Sequence, residues 1–194
     1  MMFIHKGTVV LESSRLILRR FTMEDVDAMF TYASDAETTR FMRFSTHKSK
    51  EDSESIIRLW VDSYDNPKVY NWAIVCKECG ELIGSIGLVD VNDFHKQAEI
   101  GYIIRKDHWN KGYTTEAVKR VFKYAFEEVG FHRIESLHAQ INPASGKVMK
   151  KAGMQFEGVK KNYFPFEGHY ISCDMYAIVS EDYFKQIEYD CLFK

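Results

Sequence analysis

The stretch from His108 to Ala117, HWNKGYTTEA, sets a glycine and two threonines between an apolar, strand-like run and a long amphipathic helix pattern. Gly112 can take backbone angles closed to other residues, and its missing side chain lets a ligand approach the chain. The first amides of the following helix have no internal partners, and the helix dipole adds partial positive charge there, which suits that end to an anion. The same residues also fit ordinary capping, with Thr114 or Thr115 as N-cap. Neither of the familiar nucleotide loops occurs in the sequence. The Gly146-Lys147 pair is followed by Val148 rather than Ser or Thr and has Ile141 where a first glycine belongs, and no G-x-G-x-x-G joins a strand to a helix.

Further residues with chemical potential stand on either side of that stretch. In AEIGYIIR, strand alternation puts Ala98, Ile100, Tyr102 and Ile104 on one face and Glu99, Gly101 and Ile103 on the other. Glu99 is thus a carboxylate on an otherwise apolar strand, either a charged strand end or an acid–base group. Asn142 and Ser145 stand beside Pro143, where they also fit helix-start chemistry. Of the four cysteines, Cys76, Cys79, Cys173 and Cys191, the first two form a Cys-x-x-Cys pair. No second Cys or His pair follows at a metal-binding distance, and the first falls at a turn near Gly80, so unpaired thiols and no metal site are expected.

A chain of 194 residues, 45% of them hydrophobic, can bury one good core, so a single domain over 1–194 is expected. Only three prolines occur and no repeat or low-complexity tract interrupts the sequence, which favours the same conclusion. The 26 Lys and Arg against 28 Asp and Glu leave a net charge of -2, with no footprint for sequence-independent nucleic-acid binding. An anionic ligand must therefore be held locally. The start MMFIHKGTVV lacks the basic flank and apolar core of a signal peptide, and the longest uncharged apolar run, Leu82 to Val89, is far too short to span a bilayer. A cytoplasmic monomer or homodimer, without membrane or nucleic-acid partner, is the expectation.

The positioning elements follow from periodicity. RLILRRF (15–21) reads as a strand, after which Thr22 caps a helix with Val26, Met29, Phe30 and Ala33 on one face. A second helix runs from about Lys50 to Tyr64 and is closed by Asn66-Pro67. VYNWAIVC, ELIGSIGLVDV and AEIGYIIR form an antiparallel meander. A helix from Thr114 to Val129 then carries Val118, Val121, Phe122, Ala125, Phe126 and Val129 on one face, and RIESLHAQI follows as a strand. Strand, helix, strand is a crossover, so the third meander strand and RIESLHAQI are expected to run parallel. A helix at 143–152, strands MQFEGVKKNYF and HYISCDMYAIV, and a helix from Ser180 complete the chain.

Four segments, in order, resemble the GNAT superfamily of N-acetyltransferases, and within it the branch that includes the ribosomal-protein N-terminal acetyltransferases. SRLILRRFTMEDVDAMF is similar to that branch's opening strand and helix, GELIGSIGL to its central hairpin, AEIGYIIRKDHWNKGYTTEAV to its acyl-coenzyme A segment, and NPASGKVMKKAGMQFEG to its final helix and strand. The resemblance implies an α/β (α+β) single-domain fold with a mixed, mostly antiparallel sheet of about seven strands, a splayed parallel pair and flanking helices.

It also implies direct transfer of an acetyl group from acetyl-CoA to a primary amine, on a peptide N-terminus or a small molecule. The family pattern at the cofactor loop is Gln or Arg, two residues, Gly, one residue, Gly or Ala; here Trp109 and Thr114 hold the outer positions and Gly112 is in place. By that resemblance the backbone of Trp109, Asn110, Lys111, Gly112, Tyr113, Thr114 and Thr115 holds the pyrophosphate, while Ile103, Ile104, Arg105 and Asn142 hold the pantetheine. Glu99 becomes the base. Ser145 protonates the leaving sulfur, because Met149 stands where much of the superfamily has a tyrosine. An α-amino acceptor, with a pKa about 7.7–8.0, yields its proton more readily than a lysine near 10.4. Residues 41–47, the start of the second helix and residues 163–169 are expected to choose the acceptor. Two other readings stay open: a non-catalytic acyl-CoA-binding module, which Met149 favours and Glu99 opposes, and an interaction module using KNYFPFEGHY, which also reads as an edge hairpin.

Overall fold

Strands and helices form where apolar residues recur with the right period, and they assemble into one eight-stranded sheet. The structure is a computed structural model in which residues 2–192 are described, and Cys191 lies outside the described side chains. The strands are β1 (Leu11–Glu12), β2 (Leu16–Arg19), β3 (Tyr70–Cys76), β4 (Leu82–Asn92), β5 (Gln97–Ile104), β6 (Arg133–Ala139), β7 (Gln155–Phe166) and β8 (His169–Val179). Their order is β1-β2-β3-β4-β5-β6-β8-β7. The expected count of about seven is exceeded by β1, whose two residues pair with β2 but are too few to show a period.

β5 and β6 form the parallel pair, and their register covers only Gln97↔Arg133, Ala98↔Ile134 and Glu99↔Glu135. At the next position the Ser136 hydroxyl donates to the Ile100 carbonyl at 2.9 Å in place of a backbone bond. Beyond it the two strands separate. β6 turns instead to β8, with which it pairs along its whole length.

The crossover from β5 to β6 runs through α4 (Tyr113–Lys123) and a π-helical continuation, Tyr124–Val129. The helix expected over Thr114–Val129 therefore starts one residue earlier and changes its winding near the end. Gly112, left-handed at φ 81, is the N-cap, and neither threonine serves as the cap. Ala117, Val118, Val121, Phe122, Ala125, Phe126 and Val129 are buried against one face of the sheet. Each large side chain there contributes about 1.5–3 kcal/mol of burial, which holds α4 on the sheet more firmly than local propensity does. α5 (Pro143–Lys151) covers the same face through Met149 and its C-cap Ala152.

The opposite face is covered by α1 (Val26–Ala33) and α3 (Lys50–Ser63), which bury Met29, Tyr32, Ala33 and Ile57 against Ala73, Leu82 and Ile103. Reciprocal capping boxes start both elements: Ser49 with Asp52 at α3, and Thr22 with Asp25 at a 3-10 turn that leads into α1. A short α2 (Ala36–Thr39), too brief for a periodic signal, is capped by Asp35 and leads into residues 40–49. α6 (Ser180–Leu192) closes the chain. Among the described residues no helix is long and apolar enough to cross a membrane.

Candidate active site

The loop that leaves β5 is bound tightly to its surroundings. The Trp109 indole donates to the Ile104 carbonyl at 2.8 Å, and Arg105 bonds Asp107 and Glu81, which fixes the corner. Asn110 and Gly112 both take left-handed backbone, at φ 59 and 81. The backbone bonds of α4 begin with Glu116 N–H to the Gly112 carbonyl at 3.1 Å, so the amides before Glu116 face out of the helix end. Lys111 lies exposed between the two left-handed residues, and Thr115 lines a cleft beside Gly112. Tyr113 points its ring inward, beneath the Arg15 guanidinium at 4.5 Å and with its hydroxyl 3.9 Å from the Cys76 sulfur.

Glu116 ties this helix start to the β1–β2 turn. Its carboxylate accepts from the Arg15 amide (2.8 Å), Ser13 hydroxyl (2.8 Å), Ser14 hydroxyl (2.9 Å) and Arg15 Nε (2.7 Å). Burial alone raises the Glu116 carboxyl, but these donors outweigh it and hold the group below the usual carboxylate range. Arg15 Nη1 also donates to the Lys111 carbonyl at 2.9 Å, so the clamp reaches the loop itself. The cleft here, about 540 Å³, is bordered by Gly112, Thr115, Lys119, Arg120, Lys123 and Lys151 among others, a basic lining next to outward-facing amides.

The space opened between β5 and β6 starts near this loop. Because Ile100 and Ile104 turn their carbonyls toward β6 or the Trp109 corner, alternation turns the backbone of Tyr102 the same way, with no β6 partner in the register. Ile103 and Arg105 face β4 instead: the Arg105 amide donates to the Ile83 carbonyl at 2.7 Å, and the Ile103 carbonyl abuts Gly84. Of Ile103, Ile104 and Arg105, three of the four residues expected along the pantetheine, only Ile104 thus turns its backbone away from β4, and its carbonyl accepts from Trp109.

Ser145 on α5 reaches the β5 side chain Tyr102. Asn142 is the N-cap of α5, yet its side chain makes no capping bond. Ser145 Oγ lies 3.0 Å from the Tyr102 hydroxyl, which also donates to the Ser145 carbonyl at 3.1 Å. Burial pushes the Tyr102 hydroxyl far above the ordinary tyrosine range, so it stays protonated. Sequence reasoning placed Tyr102 on this face but gave it no role. Met149 is buried in the core, and the hydroxyl beside Ser145 comes from Tyr102 on β5.

On the opposite face, Glu99 accepts from Arg43 Nη2 at 2.5 Å, with Arg43 Nη1 3.7 Å from Asp90. A Cβ on neighbouring Gly101 would meet no atom within 4 Å, so open space lies beside the carboxylate. Segment 40–43 also reaches the tip of the β7–β8 hairpin: Phe41 stacks on Phe166 at 5.5 Å, and Arg40 bonds Glu167 at 3.1 Å. Cys76 and Cys173 are buried free thiols and Cys79 is an exposed one.

Residues 15–155 match the acetyltransferase (GNAT) domain family. Over 170 residues the chain is 35% identical to the uncharacterized N-acetyltransferase YoaA of Bacillus subtilis, covering 88% of this chain and 96% of that protein. Its structure matches an acetyltransferase of the GNAT family from Bacillus anthracis with a TM-score of 0.79 and 28% identity, over 89% of this chain and 99% of that one. It also matches the fold of a spermidine N-acetyltransferase from Vibrio cholerae in complex with CoA and spermine, with a TM-score of 0.77 and 22% identity, over 89% of this chain and 99% of the other.

Proposed function

The chain belongs to the GNAT acetyltransferases, and from that premise we propose that it moves an acetyl group from acetyl-CoA directly to a primary amine. One observation carries this reading: the gap between β5 and β6 begins beside an anion-receptive helix start at Gly112 and closes at the Glu99↔Glu135 pair, where the Glu99 carboxylate lies on the face away from α4. The residues present fit the donor in three ways. Outward amides and a basic cleft suit its phosphates, the unladdered backbone of Tyr102 suits its amide-bearing arm, and Asn142, whose side chain makes no capping bond, offers another polar group.

When bound, acetyl-CoA supplies an acyl group activated as a thioester. Glu99 takes the proton from the acceptor nitrogen as it attacks. Arg43 shares that carboxylate, and the open space at Gly101 leaves room for the nitrogen to reach it. On the other face Tyr102 and Ser145 hold two protons on two touching hydroxyls, so Ser145 donates to the departing sulfur while Tyr102 reorients to support it. The carboxylate and the hydroxyl pair lie on opposite faces of one strand, which separates proton acceptor from proton donor.

The test is release of coenzyme A thiol from acetyl-CoA across a panel of amines and short peptides. Turnover with at least one amine, lost in Glu99→Gln, is the expected result. Tight acetyl-CoA binding with no amine turned over would leave a binding module.

A further inference from the structure

The acceptor face is built around arginines. Glu99 is held by Arg43, Glu135 accepts from Arg133 at 3.2 Å, and Glu167 at the hairpin tip is held by Arg40. Asp90, the remaining carboxylate near Glu99, is drawn to Arg43 Nη1 at 3.7 Å. An incoming polycation therefore meets carboxylates already paired with guanidinium groups. The cations are less fully used. Among the described residues Arg43 makes a single hydrogen bond, through Nη2, although a guanidinium carries five N–H donors in a fork that matches a planar or tetrahedral anion. Its side chain is 48% exposed. Lys160, on the β7 position paired with Cys173, has no ion pair among the described residues and lies over the Tyr163 ring at 4.6 Å.

On the reading that this face receives the amine, we infer that the acceptor carries an anionic group, a carboxylate or a phosphate, close to its reactive nitrogen, and that Arg43 receives that anion. Arg43 and Glu99 touch, so an amine delivered to Glu99 places an anion only two to four bonds away within reach of the free guanidinium donors. A polyamine would bring a second cation to the same place and meet repulsion instead.

The test pairs acceptors with and without the anion, with kcat/KM taken per free amine so that the anion's effect on amine basicity is removed: an α-amino acid against its carboxamide, aminoethyl phosphate against ethanolamine, with spermidine as the polycation. For wild-type protein, kcat/KM is expected to be at least about tenfold higher for an anionic member than for its neutral partner, mainly through KM. Arg43→Gln should collapse that ratio and Arg43→Lys restore part of it. A preference for spermidine or the neutral amines, or a ratio untouched in Arg43→Gln, overturns the inference while leaving the transferase reading intact. A second arm needs no turnover: titration of CoA-loaded protein with the same anionic amines should show binding that Arg43→Gln loses. Absence of binding by every anionic amine overturns the inference as well. No turnover with any amine, beside intact anion binding at Arg43, counts against transfer and for this inference.

Discussion

The hydroxyls of Tyr102 on β5 and Ser145 on α5, separated by 43 residues in sequence, lie 3.0 Å apart on the face of the sheet that α4 and α5 cover. If this pair protonates the leaving sulfur, Ser145→Ala should lower kcat by roughly 10²-fold, the lower end for a lost general acid. The dissociation constant of acetyl-CoA should change little. Tyr102→Phe should have a smaller effect in the same direction. Single-turnover kinetics with separately measured cofactor affinity checks both; weakened binding with normal turnover would make Ser145 a positioning residue.

Glu99→Gln keeps the shape and a polar contact for Arg43 but cannot take a proton. Its kcat/KM should fall by about 10²- to 10⁴-fold with an acceptor that wild-type protein acetylates. Wild-type kcat/KM at every pH would remove Glu99 from the chemistry.

Glu116 should matter at a distance from the reaction. Glu116→Gln loses charge-assisted bonds to Arg15, so melting temperature should fall and acetyl-CoA should bind more weakly through the loosened loop. The pH dependence has a definite sign. Because the folded-state carboxyl is held below its ordinary value, its stabilisation is present above the unfolded pKa and is lost as pH falls through the folded one. The gap in stability between wild type and Glu116→Gln should therefore be full at neutral pH and shrink in acid, which denaturant titrations at several pH values would read.

Gly146→Ala should destabilise the protein although alanine is the better helix former by about 1 kcal/mol. A Cβ there would stand 2.4 Å from His138 Nε2. His138 is buried, stacks on Tyr176 at 5.7 Å and bonds the Ala139 carbonyl, so it has little freedom to move aside. Overpacking costs about 1–3 kcal/mol and wins, and thermal melting should show a drop of several degrees.

Elements long enough to repeat their period are legible in the sequence, as β8 and the start of α6 at Ser180 are residue for residue. The π-helical turn at Tyr124–Val129 is not, because its apolar residues keep the i, i+3, i+4 spacing of an ordinary helix. The helix start at Gly112 is visible as a glycine, but its choice over two threonines as N-cap depends on a left-handed backbone that Arg15 and Glu116 hold from another part of the chain. The same limit hides the pairs of the site. Glu99 and Ser145 stand out by residue type and strand or helix position, whereas Arg43 and Tyr102 acquire their partners only when segments 56 and 43 residues apart meet.

Calorimetric titration of acetyl-CoA into wild-type protein and Gly112→Val tests the central claim most directly. A β-branched residue is a steric outlier at φ 81, so the amides before Glu116 should no longer converge. Crowding is a lesser effect, since a Cβ would meet Arg15 Nη2 at an ordinary 3.5 Å. Wild-type protein should bind and, at about a hundred times the dissociation constant, gain roughly 2.7 kcal/mol of stability. Gly112→Val should bind at least about tenfold more weakly, a loss of about 1.4 kcal/mol, while its unliganded form still unfolds cooperatively. Equal affinity in the two proteins would contradict the assignment of residues 109–115 as the phosphate-binding loop.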